Sequence, residues 1–137
     1  MTVETRELTY ETRGRDEVKD ITADVARIVA SSSAGSGIVT IFVPGSTAGI
    51  TTIEYEPNVV ADLVDAVRRL IPENHPYRHN TIDDNGHSHL RASLIGPSLT
   101  VPFRKKELLL GTWQQIVLVD FDTRPRRRRI IVQIIGE

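Results

Sequence analysis

The chain begins and ends in runs of alternating, β-branched side chains, and between them the spacing of apolar residues twice changes to that of a helix. An all-helical bundle and an all-β sandwich are both incompatible with that order. Val3–Thr12 alternates and is punctuated by Gly14. Ile38–Val43 is a short apolar run between Gly37 and Pro44, the pattern of a buried strand, and Gly49–Tyr55 is a β-branched segment placed to pair with it. His87–Ile95, Leu99–Pro102, Gly111–Phe121 and Arg126–Ile135 complete the expected strands, with a turn at Gly96-Pro97. One helix is expected from Asp20, a good N-cap, with Ile21, Val25, Ile28 and Val29 at helical spacing. A second begins at Pro57 and carries the stripe Val60, Leu63, Val64, Val67, Leu70 and Ile71, which stops before Pro72. The expectation is an α+β fold, a mostly antiparallel sheet with two main helices, in one domain spanning residues 1–137. Pro72–Gly86 has turn formers and no periodicity, and loops that long in a small domain usually carry function.

Composition removes several classes of activity. Seventeen basic against eighteen acidic residues leave a net charge of −1, so there is no basic surplus for phosphate backbones and no nucleic-acid partner is expected. The absence of cysteine excludes a disulfide scaffold, a thiolate metal site and a cysteine nucleophile. The uncharged stretch Ser31–Ile53 is broken by Gly35, Gly37, Pro44, Gly45 and Gly49, so no membrane association is expected. The first residues lack an apolar signal region, and a soluble cytoplasmic protein is the expectation.

All four histidines fall within fifteen positions: His75, His79, His87 and His89, with Asp83, Asp84 and Asn85 among them. If His87 and His89 lie on a strand, they share a face at about 7 Å, which suits two imidazoles on one divalent ion. His79 or a loop carboxylate would be the third ligand of a zinc-like site. The other reading is a solvated loop with incidental histidines. Gly45, Ser46 and Thr47, directly after the Ile38–Val43 run, could let backbone amides and hydroxyls approach an oxyanion, or could form a plain turn. Glu54 follows in its strand, either on the wet face or turned inward as a ligand or base.

Five arginines fill Arg124–Arg129, but alternation divides them. Arg126 and Arg128 continue the face of Ile130, Val132 and Ile134, whereas Arg127 and Arg129 share the other with Ile131 and Gln133. One pair could clamp a phosphate, or the run could form structural ion pairs. The sole tryptophan, Trp113, reads as a core or interface anchor, with Gln114 on the opposite face free to meet a ligand's polar edge. No P-loop, Rossmann glycine motif or serine-hydrolase elbow is present.

Five motifs in order, FVPGSTAGITTIE at 42–54, YRH at 77–79, DNGHSHLRASLIGPSLTVP at 84–102, LLLGTWQQI at 108–116 and RPRRR at 124–128, make the chain resemble the YjbQ family, also described as secondary thiamine-phosphate synthase-like proteins. The resemblance runs from Thr12 onward. It implies an α+β subunit, a homotrimer, a small polar site of metal or anion character, and a weak thiamine-phosphate-synthase-type activity. The family's characteristic His, Glu and polar positions fall on His79, His89, Glu54, Asp84, Asn85, Trp113, Gln114, Arg126 and Arg128. Many members read His-Thr-Thr-Ala where this chain reads Gly45-Ser46-Thr47-Ala48, and many lack a histidine at position 87. The expectation is that His87 replaces the imidazole missing at Gly45.

Three functions compete on this reading. A transferase acting on phosphorylated small molecules would neutralise a departing diphosphate with Arg126, Arg128, the Gly45–Thr47 amides and a metal on His79, His87 and His89. A metal-dependent hydrolase would use Glu54 or Asp84 as general base. A non-catalytic trimer would bind a metal or small anion only.

Overall fold

The computed structural model describes residues 1–137 throughout. Its elements run β1 (Thr2–Thr12), β2 (Glu17–Asp20), α1 (Thr22–Ser31), β3 (Gly37–Phe42), β4 (Ala48–Ile53), α2 (Pro57–Leu70), α3 (Gly86–Ile95), β5 (Ser98–Arg104), β6 (Glu107–Leu108), β7 (Gln115–Asp120) and β8 (Arg126–Gly136), with a single 3-10 turn at Arg78–Thr81. Every strand pairing is antiparallel. Five strands make one sheet in the order β1-β8-β3-β5-β6, and three make a second, β2-β7-β4. The α+β class expected from the sequence is the class observed. No helix is long and apolar enough to cross a membrane.

Strand β7 explains how two sheets share one interior. It is apolar at consecutive positions, so both of its faces must be covered. Ile116 and Leu118 join the main core of Ile41, Val43, Ile130, Val132 and Ile134, which α1 closes with Val25 and Val29. Val117 and Val119 face the other way and pack with Phe121, Val67 of α2 and Ala92 of α3. At about 2 kcal/mol for each fully buried aliphatic side chain, this two-sided strand is a main source of the fold's stability.

Carboxylates receive the first amides of two helices. Glu56 caps α2, its carboxylate accepting from the amides of Asn58 and Val59, with Pro57 in the first turn. Asp20 accepts from the Thr22 amide and hydroxyl at the entry to α1. Of the stripe expected on α2 only Val67 is fully buried, and Leu70 is exposed.

The segment expected as a strand, His87–Ile95, is helix α3. Its buried residues, Gly86, His87, Ser88, Arg91 and Ala92, recur at the helical period, and Gly96 ends it at φ +92°. Only Ile95 in it is β-branched, and Leu90, Arg91, Ala92 and Leu94 are strong helix formers. The expected strand at Gly111–Phe121 starts four residues later. Gly111–Gln114 is a turn held by the Gly111 amide donating to Gln114 Oε1 at 3.0 Å, and Trp113 stands 72% exposed rather than in the core.

Candidate functional site

Helical geometry at α3 decides which histidines meet. Positions 87 and 89 lie about 200° apart around a helix axis, so their side chains leave it in opposite directions. His89 meets His79, from the 3-10 turn, with ring centroids 4.7 Å apart in an edge-on arrangement. His79 Nε2 donates to Oδ1 of the buried Asn85 at 3.0 Å, which fixes its ring. Gly86 permits this close approach: a Cβ there would lie 2.8 Å from both Asn80 Oδ1 and Tyr77 Cβ. On its other side His89 lines a groove of about 250 Å³ with Gly45, Ser46, Ala48, Ala92, Ser93 and Pro97.

Beneath that groove lies a buried ion network. Arg128 donates from Nε to Asp120 Oδ2 at 2.7 Å and from Nη2 to Asp120 Oδ1 at 2.9 Å and Thr47 Oγ1 at 2.7 Å. Thr12 also donates to Asp120 Oδ2, and Arg126 Nε donates to Asp122 Oδ2, each at 2.5 Å. Burial acts to raise the Asp122 pKa, but the Thr123 amide, Arg126 and the Thr47 hydroxyl outweigh it and hold the carboxyl below its usual range. Arg127 and Arg129 are exposed and stand 3.6 Å from Glu11 and Glu7. Strand alternation divides the arginine run as expected: Arg126 and Arg128 are both engaged by aspartates, Arg128 buried and Arg126 still exposed. Arg128 Nη1 makes no hydrogen bond within the chain and would lie 3.2 Å from a Cβ placed on Gly45.

His87 belongs to a different place. It lines a cavity of about 400 Å³ with Arg15, Asp16, Arg68, Glu73 and Arg91. Its pKa is lowered, first by burial and then by the Arg91 guanidinium. Glu54 is exposed in a third hollow with Tyr55 and Trp113, Gln114 donates to Thr52 Oγ1, and Asp84 lies at the surface near Thr123 and Arg124.

The sequence-predicted residues thus separate. His89, Gly45 and Ser46 share one groove, His79 and Asn85 stand behind His89, and Thr47, Arg126 and Arg128 belong to the adjoining ion network; His87, Glu54, Gln114 and Asp84 stand apart. No group of three His, Asp or Glu side chains in the chain is disposed to hold a metal ion. The triad His79, His87 and His89 expected from strand alternation is not formed, because the segment is a helix. Nor does His87 stand in for an imidazole at Gly45, since Gly45 shares its groove with His89. Gly45 has φ +132°, a conformation that a histidine rarely adopts.

Sequence reasoning missed Asp120, Asp122, Asp16 and Arg91. A signal for the first two existed: Asp-Phe-Asp at 120–122 has the same period of two as Arg126 and Arg128, and sits one turn before them. Asp16 and Arg91 are 75 residues apart, and no local pattern joins them.

Residues 6–137 match the family model described as UPF0047 protein YjbQ-like. A UPF0047 protein of Methanothermobacter thermautotrophicus is 40% identical over 137 residues, covering all of this chain and 95% of its own length. One from Archaeoglobus fulgidus is 39% identical over 127 residues, covering 93% and 98%. The crystal structure of a YbjQ-like protein of unknown function from Sulfolobus solfataricus superposes with a TM-score of 0.91 at 35% identity, covering 99% of this chain and 100% of that one. A hypothetical protein from Aeropyrum pernix gives 0.92 at 34% identity, covering 98% and 99%.

Proposed function

This chain belongs to the YjbQ-like UPF0047 family, and from that premise we propose that its groove at His89 binds the phosphoryl or diphosphoryl group of a small molecule. The observation that carries the reading is the meeting of three donor types at one place. His89, the glycine loop Gly45–Ser46 and Ser93 line one small groove, His79 packs edge-on against His89, and the unengaged Nη1 of Arg128 stands beside Gly45. Hydroxyls of Ser46 and Ser93 add neutral donors. Such a set neutralises an oxyanion without a general base or a nucleophile of its own.

A thiamine-phosphate-synthase-type transfer is the reaction this binding would serve, because its diphosphate leaves from a cationic carbon and needs that charge held. A divalent metal is not part of the reading. Two imidazoles are one ligand short of the three that catalytic zinc uses. Homotrimer formation is part of it. On the outer face of the five-stranded sheet Val3 pairs with Ile135, Ile135 with Ile38, and Ile131 with Phe42, leaving an apolar row in water.

Titration of inorganic pyrophosphate by calorimetry tests the binding. His89→Ala should weaken it at least about tenfold, the effect of removing a hydrogen bond to a charged group. Unchanged affinity in that variant refutes the groove. Release of pyrophosphate from a pyrimidine diphosphate in the presence of a thiazole phosphate tests the transfer.

A further inference from the structure

The cavity that holds His87 has no part in the groove above. It lies between the β1–β2 turn (Arg15, Asp16), the end of α2 (Arg68), the following loop (Glu73), the first turns of α3 (His87, Arg91) and the exit from β7 (Asp122). Its carboxylates inside the wall are engaged. Asp16 Oδ1 accepts from Arg91 Nη1 at 2.9 Å, and its Oδ2 accepts from Arg68 Nε at 2.8 Å and Arg91 Nη1 at 3.0 Å. Asp122 accepts from Arg126, Thr47 and the Thr123 amide.

The donors are not exhausted. Arg91 uses Nε on the Ile71 carbonyl and Nη1 on Asp16, leaving Nη2. Arg68 uses Nε and Nη2, leaving Nη1. The Arg15 side chain makes no hydrogen bond or ion pair, while its backbone is fixed by its amide donating to the Asp122 carbonyl at 2.7 Å. A second, independent observation comes from His87. Its side chain is only 4% exposed, it lines the cavity, and its Nδ1 is buried without a hydrogen-bond partner. Buried polar atoms in native proteins are almost always satisfied, so an orphan in a cavity wall signals a missing partner.

We propose that this cavity is a second ligand site, for a small oxyanion such as inorganic phosphate or a phosphate group on a small molecule, held by Arg15, Arg68 and Arg91 with His87 at its wall. Three guanidinium groups with unengaged N–H donors suit a tetrahedral oxyanion, and Arg91 and Arg68 are held in position by Asp16. Burial and Arg91 favour the neutral form of His87, in which one ring nitrogen can accept from a protonated oxyanion and the other can donate. Glu73 is the single carboxylate of the wall without a donor. It is 60% exposed, with Oε1 3.8 Å from His87 Nε2, so it competes with the anion and does not help to bind it.

The test uses inorganic phosphate, followed by amide and histidine-ring NMR shifts in His89→Ala, a background in which binding at the first groove is weakened. Phosphate should move the amides of Arg15 and Thr123 and the ring of His87. Arg15 is exposed and its side chain unpaired, so Arg15→Gln should fold normally and bind about tenfold or more weakly, as expected for one lost charge-assisted contact. Glu73→Gln should bind several-fold more tightly, because it removes the competing charge. Absence of these shifts, or unchanged binding in Arg15→Gln, overturns the proposal. Weaker binding in Glu73→Gln, or His87 shifts with zinc and none with phosphate, overturns it in favour of a cation site.

Discussion

Replacing Arg128 by leucine isolates what the buried network contributes. Asp120 is 0% exposed and receives two charge-assisted bonds from this guanidinium, at 2.7 and 2.9 Å. After substitution it keeps the Thr12 hydroxyl, and its Oδ1 still accepts from the Asp122 amide at 3.0 Å, but no counter-charge remains in its former position. Deleting one member of a buried pair costs roughly 3–5 kcal/mol, mostly through the charge left behind. That is a large part of the roughly 5–15 kcal/mol that holds a domain together. For a chain of this length it lowers Tm by about 10–20 °C. Urea unfolding should show the midpoint falling with little change in slope. Asp120→Leu combined with Arg128→Leu removes both charges, and should recover most of the loss, because apolar replacements of a whole buried pair are often near neutral. Arg129→Leu is the control. It is exposed, 3.6 Å from Glu7, and should change stability by less than about 0.5 kcal/mol. A loss below about 1 kcal/mol in Arg128→Leu, or a double variant as unstable as the single one, would refute the reasoning.

Protonation of His87 should make the fold acid-sensitive. Its folded pKa lies below the ordinary 6.5, so the unfolded chain takes up the proton first. The stability His87 contributes as a neutral group is complete above pH 6.5 and declines as pH falls toward the folded value. Urea midpoints measured in steps between pH 7.5 and 5 should slope less in His87→Phe than in the parent, and identical slopes would count against it. Gly45→Ala should cost roughly 1–3 kcal/mol by denaturation, since φ is +132° and Arg128 Nη1 crowds the new Cβ at 3.2 Å. Ile135→Asp should convert a trimer in light scattering to the 15.3 kDa of one chain, and a parent already at that mass defeats the trimer.

Strands were legible where periodicity and burial agree. In β8 the alternation Arg128, Ile130, Val132, Ile134 is the buried face, and the sequence assigned it without help from the fold. The apolar run in β7 marked a strand, although its start was misplaced because Gly111–Gln114 turns before the ladder begins, and only the structure shows that both of its faces are covered. α3 was illegible for a specific reason. His-Ser-His places like residues two apart, which imitates a strand, while the helical signal sits in Gly86, Arg91 and Ala92, and Arg91 reads as a surface residue until its partner Asp16 is known. The error carried straight into the site, because the period assigned to a segment determines which of its side chains can act together.

Period also explains why this small fold can hold two separate polar cavities. A strand through Gly86–Ile95 would have placed His87, His89 and Arg91 on one face and served one site. A helix there presents His89, Ala92 and Ser93 to the Gly45 groove and His87 and Arg91 to the Asp16 cavity. Between the two lies Asp122. It lines the Asp16 cavity while Oδ2 receives the Thr47 hydroxyl and the Arg126 guanidinium from the network under the groove. Asp122→Asn keeps its size and the oxygen that the Thr123 amide needs, but removes the charge that Arg126 and Thr47 share. Subtracting this negative charge should tighten phosphate beside Arg15, whose cavity Asp122 lines, and change pyrophosphate at the groove, which it does not line, by less. A larger gain beside Arg15 than at the groove, read in separate titrations of the same variant, follows from that placement; weaker binding at both sites would mean that the variant had simply loosened the fold.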